Sequence, residues 1–120
     1  MTSTIQTIDW GAFRRAYERF DSEAVRAMAS PDIVCTEIDS RTPPSSPNVI
    51  NGVDELLQMV EHVAGLGLEV RVLDEVVAGD KAAFSTECRY PDGKKVRAIF
   101  MAHAEDGLIT RMTEVQAFDE

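Results

Sequence analysis

Three glycine turns in the second half of the chain restrict its fold more than any other feature. "GD" occupies positions 79–80, "DG" occupies 92–93, and "DG" recurs at 106–107. Asp-Gly supplies the positive φ angles of a two-residue hairpin turn. The turns separate runs of strand length that are rich in β-branched residues: "LEVRVLDEVVA", "KAAFSTECRY", "KKVRAIFMAHAE" and "LITRMTEVQAF". Such spacing predicts four antiparallel strands in a meander.

The first half has a different period. In "DWGAFRRAYERF", Trp10, Phe13, Tyr17 and Phe20 recur at three- and four-residue steps, which predicts a helix with an aromatic stripe. Arg14, Arg15, Glu18 and Arg19 fall on its wet side. Asp21 or Ser22 caps a second short helix, "EAVRAMAS", which Pro31 ends. "DIVCTEID" reads as a strand, and the proline- and serine-rich "SRTPPSSPNVIN" as a loop. Asn51 is placed as the N-cap of "VDELLQMVEHVAG", whose apolar face is Val53, Leu56, Leu57, Val60 and Val63. Helices in one half and a meander in the other imply an α+β fold.

Turns set strand register. With Asp92-Gly93 and Asp106-Gly107 as the two central turn residues, Cys88 faces Arg97, Ile99 faces Glu114 and Met101 faces Met112. One sheet face then carries Leu73, Phe84, Thr86, Cys88, Arg97, Ile99, Met101, Met112, Glu114, Gln116 and Phe118. The other carries Val70, Val72, Val76, Ala83, Ser85, Val96, Ala98, Phe100, Ala102, Thr113, Val115 and Ala117, and is the smoother and more uniformly apolar.

A length of 120 residues suits a single domain over 1–120, with enough chain to bury a core. The net charge of −9 argues against a nucleic-acid partner or an anionic membrane surface as partner. "MTSTIQTIDW" has neither a basic region nor a long apolar run, and no segment is long enough to span a bilayer, so the expected location is cytoplasmic. Cys35 and Cys88 lack metal-ligand spacing and read as reduced, buried small hydrophobes; no metal site is expected.

Three segments, "DSEAVRAMASPDIVCTE", "NGVDELLQMV" and "AEDGLITRMTEVQAFD", in that order and spacing, make nearly the whole chain resemble the SnoaL-like polyketide cyclases of the nuclear transport factor 2-like superfamily. The resemblance implies a cone-shaped, curved, mostly antiparallel sheet wrapped around the three helices, with a pocket inside. It also implies that the row with Met112, Glu114 and Gln116 faces the cavity. The superfamily holds isomerases, dehydratases, epoxide hydrolases, cyclases and non-enzymatic binding modules, so the fold alone does not fix the chemistry. By resemblance, Glu37 stands where the steroid isomerases carry their carboxylate base. Phe13 stands where they carry a tyrosine, and Ile99 where they carry a protonated aspartate. Neither can donate to an enolate, which argues against that mechanism in unaltered form. Arg97 with Glu114 partly echoes the arginine–aspartate set of the epoxide hydrolases.

From these readings Glu37 is the candidate base, with Tyr17 and Arg97 as polarising donors. A salt bridge from Glu37 to Arg41, and a buried Arg97–Glu114 pair that holds register, are the structural alternatives. Trp10, Phe13, Phe84, Ile99, Met101, Met112, Glu114 and Gln116 are the candidate pocket residues. The expected activity is cofactor-free acid–base chemistry on a hydrophobic carbonyl compound; a non-catalytic binding or dimerisation module is the alternative. The uncovered row from Val70 to Ala117 implies a homodimer through the convex sheet face.

Overall fold

A computed structural model describes residues 7–119. Helix α1 (Trp10–Arg19) begins where the Asp9 carboxylate accepts from the Ala12 amide at 3.0 Å. It ends at Phe20, which turns left-handed at φ 51°. Asp21 caps α2 (Ser22–Met28) in the same way through Ala24. The chain then passes into β1 (Ala29–Ile38), so Pro31 lies inside an extended strand. A short β2 (Asn48–Asn51) follows, then α3 (Val53–Ala64), β3 (Glu69–Ala78), β4 (Lys81–Arg89), β5 (Lys95–Glu105) and β6 (Leu108–Phe118). Two expectations are corrected here. The end of the proline-rich segment is a strand, and α3 is capped by Gly52 at φ 88° with no side-chain cap from Asn51.

The six strands form one curved sheet in the order β2-β1-β6-β5-β4-β3. All neighbours are antiparallel except β1 and β6, which run parallel. The helices cover one face, with α1 on β3 and α3 on β1 and β2. The fold is α+β.

Register departs from expectation at three places, each by one residue: one on either side of β5, and a bulge within β3. Pro91 favours the second position of a type I turn, so the chain after β4 needs three loop residues rather than two. The Gly93 amide donates to the Tyr90 carbonyl at 2.9 Å, the Tyr90 amide donates to the Lys94 carbonyl at 2.9 Å, and Gly93 takes φ +92°. Cys88 therefore faces Val96, and Phe84 faces Phe100. The second turn is the expected one: Asp106 and Gly107 both have positive φ, and Glu105 faces Leu108. A bulge between His103 and Ala104 then moves the pairing by one, so that Phe100 faces Glu114.

The two slips cancel between β4 and β6 and turn over β5 alone. Arg97, Ile99 and Met101, expected inside, lie on the convex face; Ile99 is 62% exposed. Val96, Ala98, Phe100 and Ala102, expected on the convex face, are buried, as are Val70 and Val72 of β3. Leu73 sits at a further irregularity in β3 and is exposed. The expected dimer row therefore cannot exist in that form, because its larger members already pack in the core.

The core beside the Gly79 turn is aromatic. Phe84 stacks on Phe100 with centroids 5.0 Å apart, Phe13 lies 5.7 Å from Phe84, and Tyr17 lies 5.0 Å from Phe100. Trp10 closes this end by donating its indole N–H to the Gly79 carbonyl at 2.9 Å. Burying a side chain such as Phe100 stabilises by about 1.5–3 kcal/mol. At the opposite end the aromatic packing stops, and the sheet and α3 stand apart.

Candidate functional site

A cavity of about 230 Å³ opens between α3 and the inner sheet face at that end. Leu56, Met59, Val60 and Val63 form one wall, since a 3.6-residue period stacks them along one side of α3. Val70, Val96, Met112 and Phe118 form much of the other. The polar lining includes Tyr17 from α1, Glu37 from β1, and Glu114 and Gln116 from β6; Cys35 and Cys88 also reach the cavity.

Parallel pairing of β1 with β6 is what builds this group. Cys35 is the register partner of Met112, and Glu37 of Glu114. Side chains alternate along a strand, and neighbouring strands lie about 4.8 Å apart. Two carboxyl groups from opposite halves of the chain thus project side by side into an apolar cavity. The Tyr17 phenol donates to Glu114 Oε2 at 3.4 Å, and the Gln116 amide donates to Glu114 Oε1. The Asn48 amide of β2 donates to Glu37 Oε1 at 3.2 Å.

Among the described residues, no lysine, arginine or histidine lines the cavity. The ion pairs among the described residues join Arg14 to Glu18 and Glu75, and Arg26 to Asp54, all on other surfaces. The carboxyls are consequently pushed toward the neutral form. Burial, with the negative charge of Glu37 added, raises Glu114 to about 7, against the hydrogen bonds from Gln116 and Tyr17. Burial also raises Glu37, with Asn48 opposing and Asp39 adding to the rise. Burial and the Glu114 charge hold the Tyr17 phenol well above its ordinary value, so it stays a donor. The Cys35 and Cys88 thiols are pushed up to about 12 and about 11, chiefly by burial. Neither is a thiolate nucleophile near neutral pH.

The site brings together part of the expected set. Tyr17, Glu37, Met112, Glu114 and Gln116 converge on the cavity. Arg97 does not: it is exposed, on the convex face, with Glu87 and Ala117 as its register partners. Its expected pairing with Glu114 is therefore excluded, and so is a donor role. Ile99 and Met101 are outside for the same reason. Trp10, Phe13 and Phe84 are core residues that do not reach the cavity. Glu37 is held by Asn48, with no ion pair to Arg41. Asn48 lies in a strand that the proline-rich composition disguises as loop; the signal for it is the alternation in "NVIN", where Ile50 is buried and Val49 exposed. Among the described residues no group of three His, Cys, Asp or Glu side chains could hold a metal, and no helix is long and apolar enough to cross a membrane.

An open six-stranded sheet curved around three helices is the fold seen in solved nuclear transport factor 2-like proteins. The model of the SnoaL-like domain family matches residues 10–112, and the chain belongs to that family. Solved structures agree in fold. A nuclear transport factor 2-like protein of unknown function from Mesorhizobium loti superposes with a TM-score of 0.78 at 19% identity, covering 90% of this chain and 87% of that one. A candidate ketosteroid isomerase from Kribbella flavida gives 0.75 at 16% identity, over 92% and 76%. IdmH, a candidate polyketide cyclase from Streptomyces antibioticus, gives 0.68 at 20% identity, over 89% and 88%. No curated protein matches the sequence.

Proposed function

We propose that this protein is a cofactor-free acid–base catalyst for a neutral, hydrophobic, carbonyl-bearing small molecule. Isomerisation, cyclisation or dehydration would all fit. The observation that carries the reading is the Glu37–Glu114 pair, two carboxyls in register within one apolar cavity and free of cations. Environments that push two such groups apart assign their roles. Glu114 keeps its proton up to about pH 7, and the Asn48 amide donates to Glu37 as it would to a carboxylate, which gives Glu37 the role of base. Glu37 then takes a proton from the carbon beside the substrate carbonyl. Protonated Glu114 and the Tyr17 phenol donate hydrogen bonds to the enolate oxygen that forms. Glu37 returns the proton to another carbon in an isomerisation, or to a departing hydroxyl in a dehydration. In a cyclisation the enolate carbon attacks a second carbonyl, whose oxygen receives the proton. Glu114 supplies the donor that Phe13 and Ile99 cannot.

Deuterium wash-in beside the carbonyl, followed by proton NMR over a panel of bicyclic and tricyclic ketones, tests the proposal without a known product. Exchange catalysed by the wild type and lost in Glu37→Gln is the expected result, with the surface variant Arg97→Ala retaining it. Exchange that survives Glu37→Gln would refute the assignment of the base.

The second reading, a non-catalytic binding or dimerisation module, draws on the filled aromatic end of the fold, which leaves a cavity below the usual range for drug-sized ligands. Binding without exchange would favour it. As partners we propose a small hydrophobic ligand and a second copy of the chain. The convex face supports the second copy with Val76 and Val115, expected there, joined by Ile99 and Met101, which were expected inside; all four are exposed.

A further inference from the structure

Thr86 is the one buried polar residue of the described core, at 0% exposure, and its hydroxyl has no hydrogen-bond partner. It sits on the inner row of β4, opposite Ala98, between Phe84 and Cys88. An orphaned buried hydroxyl is destabilising, and valine would fill the same shape without it. The polar group beside it is the Tyr17 phenol, close enough for the Thr86 hydroxyl to favour its ionised form but without the geometry of a hydrogen bond. Tyr17 is itself loosely held, donating to Glu114 at 3.4 Å. One polar line thus has two slack links, at Thr86 and between Tyr17 and Glu114. Hydrogen bonds in empty active sites are often long and tighten when the site is loaded.

We infer that Thr86 is a positioning residue for Tyr17: its hydroxyl donates to the phenol oxygen and thereby directs the phenol proton into the cavity when a ligand oxygen arrives. The chain then runs from Thr86 to Tyr17 to the ligand, with Glu114 released to donate beside it. A phenol that accepts one hydrogen bond is a stronger donor of the next. The inference rests on the reading of Tyr17 as a cavity donor, though not on any particular reaction.

The test compares Thr86→Val, which removes only the hydroxyl function, with Thr86→Ser, which keeps it. The sequence contains two tyrosines, Tyr17 and Tyr90, so ring-labelled tyrosine gives two Cζ carbon NMR signals, whose shifts at neutral pH report hydrogen bonding at the phenol oxygen. In Thr86→Val the Tyr17 signal is expected to move, with the Tyr90 signal in place and Thr86→Ser close to wild type. A probe pair adds a second readout: 2-naphthol carries an oxygen and naphthalene does not. The Thr86→Val change should weaken 2-naphthol roughly fivefold, the scale of one hydrogen bond, and leave naphthalene unchanged. A purely structural Thr86 predicts an unmoved Tyr17 Cζ signal in the empty protein, and that result overturns the inference whether or not either probe binds. Equal weakening of both probes would also overturn it, since that reports altered shape. Failure of the ketone exchange experiment with a displaced Tyr17 Cζ signal would instead count against the catalytic reading alone.

Discussion

Replacing Glu114 with Gln removes a titration whose effect on folding can be worked out from its surroundings. Its carboxyl moves from an ordinary 4.5 to about 7 in the fold, mainly by burial. Between those values the native state holds a proton that the unfolded chain has lost. Stability is therefore full below the unfolded value, falls as pH rises toward 7, and levels off above it. At about 1.4 kcal/mol per tenfold, the interval sets a ceiling of about 3 kcal/mol. The side chain is half-buried and faces a cavity open to solvent, so about 2 kcal/mol is the expected loss. Gln keeps the shape and has no such slope. Urea unfolding at half-unit steps from pH 5 to 8.5 measures both proteins. The difference between them cancels the other titrations, and at a typical m-value it amounts to roughly 1 M in midpoint. Wild type should lose stability relative to Glu114→Gln as pH rises, with most of the change below pH 7.5. Parallel curves would refute the burial and charge argument for Glu114. A gap that opens in the opposite direction would mean that the ionised form is the one the fold prefers.

Three further outcomes follow from the geometry. Phe100→Ala opens the aromatic stack and should cost about 3–5 kcal/mol in chemical unfolding, whereas a residue on the convex face would cost little. Native Cys35 and Cys88 should react with a disulfide reagent at pH 8 far more slowly than in the unfolded chain, because burial holds both thiols protonated. Light scattering should find a dimer at micromolar concentration, and Ile99→Glu should convert it to monomer without loss of helical signal; a wild-type monomer would sink the interface.

Much of the fold is legible in the residues. The aromatic stripe of α1, the Asp21 cap, the apolar face of α3 and the Asp106-Gly107 turn follow from period and turn chemistry, and the structure reproduces them. The inward row of β6 is legible too, so Met112, Glu114 and Gln116 are found. β5 is not. Its direction depends on a proline that lengthens one turn and a bulge that nothing in "HAEDGLIT" announces, and a single-residue slip inverts every side chain on a strand. Arg97 was assigned to the site on that slip. Thr86 is placed inward by the sequence, but its unpartnered hydroxyl and the role of Asn48 are not legible for another reason. Their importance lies in neighbours across the sheet and on α1, and no local pattern encodes a cross-strand amide or an orphaned hydroxyl.

The parallel seam between β1 and β6 makes the candidate site the product of the longest-range strand pairing among the described residues. The first strand waits for the last, and nothing in between can hold Glu37 against Glu114. Contacts of such sequence separation are slow to form. The helices and the meander can assemble locally before the seam does. The carboxyl pair then comes together as β6 docks, and its mutual repulsion falls on that last step. Folding should accordingly be faster at a pH where Glu114 retains its proton, and an otherwise folded chain with an open seam would have no site at all.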